Sequence, residues 1–160
     1  MTDKAGVIAD IQAVDERIAT LRERVIAAAD TPLLEGEWSV RDVLSHLAAR
    51  ANPVALVRGR IESPAATPDQ SARRDIVGVN QGQIDERRST SAADLLDEIR
   101  QGHAEARSAI QSLDEAFLST QVSIPMPPGE VVAIDLIQMA GPRHDNNHWD
   151  AIEAALPHVS

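Results

Sequence analysis

Residues 4–29 read KAGVIADIQAVDERIATLRERVIAAA, and their apolar positions decide the fold class. Val7, Ile11, Val14, Ile18, Leu21 and Val25 recur at alternating spacings of four and three. That pattern keeps one stripe of an amphipathic helix apolar. Thr31-Pro32 and the turn-forming Glu35-Gly36-Glu37 close the segment, so a first helix is expected from Lys4 to about Ala29. The stripe is heptad-like and can face either the chain's own core or a second copy.

The same reading extends along the chain. Ser39 followed by Asp42 predicts a helix start with a capping box. Val40, Val43, Leu44, Leu47, Ala51 and Val54 give a second helix to about Arg60, kinked by Pro53. Pro64 and Pro68 mark a loop over Ser63–Gln70. A third helical region carries Ile76, Val79, Gln83 and Ile84, is interrupted or re-capped at residues 88–91, and continues through Leu95, Ile99, Ala106, Ile110, Leu113 and Phe117. Residues 119–130 form a short extended connection with a turn at PMPPGE. A fourth helix is expected from about Val131 to Ala155, kinked or restarted at Gly141-Pro142. Four long helical regions with one long crossing connection predict an all-α four-helix bundle, and 160 residues suit one domain over the whole chain.

Composition narrows the function. The chain is 43% hydrophobic but only 2% aromatic, so small aliphatics must build the core. A net charge of -10 argues against a nucleic-acid backbone or an anionic membrane as partner. Without Cys there is no disulfide, thiolate metal site or Cys nucleophile, and any reacting thiol must come from a cofactor or substrate. MTDKAGVIADIQ lacks a signal-peptide pattern, and no apolar run approaches the ~20 residues of a membrane span, so a cytoplasmic protein is expected.

The histidines carry the chemistry. His144 and His148 stand four apart, one turn from each other on one helix face, so both rings can reach the same ion. Ile134, Ile137, Gly141, His144, His148, Ala151, Ile152 and Ala155 share a broad face on a continuous wheel, which turns both rings toward the interior. A shared metal would give them partners; so would carboxylates or water. His46 sits at the edge of the second helix's apolar face and becomes a third ligand if helices two and four pack stripe to stripe. Three histidines with an open position describe a catalytic kind of site. His103 reads as structural and His158 as solvated.

Three stretches together resemble one family. WSVRDVLSHLAAR (38–50) is similar to the second-helix signature of the DinB/YfiT-like superfamily, and RHDNNHWDAI (143–152) to its fourth-helix metal motif. VNQGQIDERRSTSAADLLDEIRQGHAEARSAIQSL (79–113) resembles the third helix of the branch near the N-terminal domain of mycothiol-dependent maleylpyruvate isomerase. The resemblance implies a four-helix bundle, often a homodimer, with a divalent metal such as Zn or Ni on His46, His144 and His148. It also implies a small-molecule substrate. Activities in the superfamily range over thiol-dependent isomerases and S-transferases, hydrolases and a resistance branch. The isomerase itself carries a further C-terminal domain, and this sequence stops soon after the fourth helix.

These readings leave three functions open. The first is a metal-dependent enzyme in which an open metal position acidifies water toward a pKa of ~7 or holds a low-molecular-weight thiol as thiolate. Asp145, Asn147 and Asn80 are candidate helpers, and Arg50, one turn beyond His46, can meet an anionic substrate or form a surface ion pair. Trp149 reads as packing. The second is a non-catalytic binding or resistance protein, and the third a bundle whose histidines hold no metal.

Overall fold

The computed structural model describes residues 1–64, 70–125 and 127–158. Its elements run α1 (Lys4–Ala27), α2 (Val40–Ala49), α3 (Pro53–Glu62), α4 (Gln70–Glu86), α5 (Ala92–Ser112), α6 (Glu115–Leu118), β1 (Gln121–Pro125), β2 (Pro128–Val132), α7 (Ala133–Gln138), a π-helical turn (Met139–Arg143) and α8 (His144–Ala155). The fold is all-α apart from one hairpin, in which β1 and β2 pair antiparallel from Gln121 opposite Val132 to Pro125 opposite Pro128. Most of the loop expected over Ser63–Gln70 lies outside the described residues, as does Met126 of the expected turn. No described helix is long and apolar enough to cross a membrane.

Two apolar layers set the topology. One joins Val14, Ile18, Leu21 and Val25 of α1 with α2, the first half of α5, and Trp149 and Ile152 of α8. The other joins Val7 and Ile11 of α1 with Val54 and Val57 of α3, Ala106 and Ile110 of α5, and Ile137 of α7. α1 therefore runs from the second layer to the first, as α7–α8 does, while α2–α3 and α5 run the other way. Because α3 ends and α5 begins at opposite ends of the bundle, α4 must return along its length, packing against α2. That return is the long crossover. The stripe of α1 lies wholly in this core, so it is not available to a second copy.

Between the layers the helices carry polar residues and breaks. Asp15 of α1, His103 of α5 and Asp145 of α8 meet there. At the same level the second helix breaks. Asn52 accepts a hydrogen bond from the Ala55 amide and Pro53 takes the first helical position, so two capped helices replace the single kinked one expected. The third region likewise divides: Ser91 caps α5, and the stripe predicted through Phe117 ends at Ser112 before a separate short helix.

The fourth helix starts two residues later than expected, because Val131 and Val132 belong to β2. It then breaks at Gly141, whose φ of -102° and ψ of -111° are non-helical, so two helices meet at a kink and the chain restarts at Pro142, as expected from Gly141-Pro142. The kink shifts the phase of α8. The buried stripe of α8 is Asp145, Trp149, Ile152 and Leu156, one residue later than a continuous wheel gives. His144 and His148 therefore stand at the edge of the buried face, half-exposed. Gly141 is required by close approach: a Cβ there would lie 2.8 Å from Cγ of Pro53.

Candidate metal centre

α2 positions the first ligand candidate. Ser39 Oγ accepts from the Asp42 amide at 3.2 Å and Asp42 Oδ2 accepts from the Ser39 amide at 2.9 Å, completing the capping box expected from the sequence. Two turns on, His46 is buried at 2% exposure. α8 supplies His144 and His148 from its first turns, just after the kink at Gly141. The candidate ligand nitrogens of His46, His144 and His148 all lie within 4.8 Å of one another. The sequence expectation that these three meet is thus fulfilled in the geometry.

Hydrogen bonds fix the tautomers. His144 Nδ1 lies 3.2 Å from Asp145 Oδ1, and an ionised carboxylate only accepts, so Nδ1 carries the proton and Nε2 presents its lone pair. His46 Nδ1 lies 2.8 Å from Gln83 Oε1, which gives His46 the same tautomer. The two Nε2 atoms face each other at 3.2 Å. Two lone pairs at that distance repel unless a cation lies between them. Nitrogens on a tetrahedral zinc, each about 2.0–2.1 Å from the ion, are separated by about 3.3 Å. The donor set therefore fits a divalent metal in distance and protonation.

Electrostatics support the same fit. Burial, and then the neighbouring charges of His144, His148 and Arg50, push His46 down to about 4 against the pull of its Gln83 bond. Burial and His144 likewise bring His148 to about 4, opposed by Asp145. Both rings are neutral at pH 7, the form that ligates metals.

Asp145 links this cluster to the polar waist. Its Oδ2 lies 3.0 Å from His103 Nε2, and His103 Nδ1 lies 2.6 Å from Asp15 Oδ1. Arg107 pairs with the other oxygen of Asp15. Burial disfavours a charged His103, but the hydrogen bonds and charges of Asp145 and Asp15 outweigh it and raise the imidazole to about 9. Asp145 is held below the usual carboxylate range: burial raises it, and its bonds to His103 and His144 more than compensate. His103 is structural, as expected, yet it orients the carboxylate that orients His144, an arrangement typical of metal-site histidines.

The remaining candidates separate. Asp145 has both oxygens engaged and so acts by positioning. Asn147 is exposed on the surface, while Asn80 is half-buried in the wall of a cleft. Arg50 lines the same cleft and makes no ion pair among the described residues. Trp149 is fully buried in the core and His158 is exposed. Sequence pattern alone misses two site residues. Gln83 reads only as a stripe position, because nothing in sequence shows which residue of a crossover helix faces His46. Trp38 packs on the core, and its ring also stacks over His148, centroid to centroid 6.4 Å at 21°, and lies 5.3 Å from His46.

Residues 11–140 match the family described as mycothiol maleylpyruvate isomerase N-terminal domain. The chain belongs to that family. This confirms the resemblance of the second and third helical stretches, whereas His144 and His148 lie beyond the matched segment and rest on the geometry above. No curated protein matches the chain.

Proposed function

We propose that this protein binds one divalent ion, zinc or nickel, through His46, His144 and His148 and acts with it on a small molecule, as a thiol-dependent transferase or isomerase or as a hydrolase. The observation that carries this reading is the pair of imidazole nitrogens facing each other at 3.2 Å, with the third ring beside them. A bound ion would supply Lewis acidity toward water or a thiol on its open side. The chain's own residues do the rest. Gln83 and Asp145 hold the His46 and His144 rings in the ligating tautomer, Trp38 packs against the His46 and His148 rings, and a cleft lined by Arg50 and Gln83 adjoins His46 through Gln83.

Family membership supports a thiol as co-substrate, since the family is named for a mycothiol-dependent isomerase domain. The absence of Cys means the thiol would be brought in. The test is a screen of the zinc- and nickel-loaded protein with activated electrophiles and esters, each with and without a low-molecular-weight thiol. Thiol-dependent product supports transfer or isomerisation, thiol-independent product supports hydrolysis, and tight ligand binding with no turnover would replace the enzyme reading with sequestration. We read the chain as one cytoplasmic domain. A homodimer, expected from the family resemblance, would have to use a face other than the α1 stripe, and a monomeric mass by light scattering at micromolar concentration would remove it.

A further inference from the structure

Arg50 is set apart from the other described arginines by a buried nitrogen without a hydrogen-bond partner. The chain has 25 acidic and 15 basic residues, so carboxylates are in excess. Arg17, Arg22, Arg41, Arg87, Arg88 and Arg107 are each paired with one. Arg50, like Arg24, Arg58, Arg60, Arg100 and Arg143, is in no such pair among the described residues, but its Nε is buried and has no hydrogen-bond partner there. Among the described residues the acidic group acting on it is Asp145, whose two oxygens are already taken by His103 and His144. A second like charge, Arg60, acts on it from the same cleft. A buried guanidinium donor left unpaired beside another cation is costly, and an anion from solution removes that cost.

The lining of the cleft specifies the kind of anion. It encloses about 320 Å³, at the small end of the range for small-molecule sites. Leu56, Val57, Ile76 and Val79 form apolar walls, and Leu56, Ile76 and Val79 are among the most exposed large aliphatics of the chain. Gln83, which holds His46, belongs to the same lining. Arg50 lies four residues along α2 from His46, about 6 Å of helix rise, and its charge is felt by both His46 and His148.

We infer that this cleft is a binding site for a small organic anion with an apolar body, a carboxylate held by Arg50 with Arg60 and a hydrocarbon portion laid against the aliphatic walls. Resting on the metal-centre reading, the site would present the ligand's other end to the three histidines. The anion recognition itself needs no metal, and the experiment uses that independence. Calorimetric titration of the metal-free protein compares hexanoate with 1-hexanol, which shares the chain but lacks the charge. Hexanoate should bind tenfold or more tightly than hexanol. Arg50→Met should abolish that preference, whereas the His144→Ala/His148→Ala variant should keep it. Equal affinity of the wild type for hexanoate and hexanol overturns the inference without any variant. So does an unchanged preference in a folded Arg50→Met. Zinc uptake without hexanoate selectivity refutes the cleft alone, and hexanoate selectivity without zinc uptake refutes the metal centre alone.

Discussion

His103 should make the metal-free protein lose stability as pH rises above neutrality. The ring is 1% exposed between Asp15 and Asp145, and its proton is held to about 9, against 6.5 when unfolded. Below pH 6.5 both states carry the proton, and the full contribution is present. As pH rises through 9 the folded state loses it, and the contribution disappears. The gap from 6.5 to about 9 corresponds to about 3 kcal/mol at 1.36 kcal/mol per tenfold change. For a chain of this length that is roughly 6–12 °C in Tm, most of it lost between pH 6.5 and 9. The assay is thermal unfolding of chelator-treated protein at both pH values, wild type beside His103→Gln. The wild type should show the larger drop by about that amount, and NMR should show one imidazole titrating near 9. Equal drops in the two proteins, or a His103 ring that titrates near 6.5, would refute the reasoning. On the acid side the sign reverses. His46 and His148, held to about 4, stay neutral while the unfolded chain takes up protons, so stability falls as pH drops from 6.5 through 4.

Gln83→Leu should leave the fold intact but weaken zinc binding by about 10–100-fold, because His46 loses the acceptor that fixes its tautomer; competition with a chromophoric chelator measures this. Gly141→Ala should lower stability by about 1–3 kcal/mol in denaturant unfolding, since its Cβ would sit 2.8 Å from Pro53 Cγ.

Much of this is legible in sequence because it rests on local rules. The α1 stripe, the Ser39–Asp42 capping box and the four-residue spacing of His144 and His148 depend only on neighbours a turn or two away. Pro53 and Gly141-Pro142 are readable as breaks, but their consequences are not. Whether Pro53 kinks a helix or starts a new one depends on Asn52 finding the Ala55 amide. How the kink at Gly141-Pro142 turns the chain decides which residues of α8 are buried, and a continuous wheel places that stripe one residue early. Contacts made across the bundle leave no periodic signal at all. Gln83 meets His46 through a crossover helix, and His103 meets two carboxylates on two other helices, Asp15 88 residues away and Asp145 42.

Metal content of protein purified without a His tag, measured by elemental analysis beside His144→Ala/His148→Ala, tests the central claim most directly. The geometry of His46, His144 and His148 predicts close to one divalent ion per chain in the wild type and none in the variant. A wild type that takes up no zinc or nickel when offered them, or a variant that retains the ion, would contradict it.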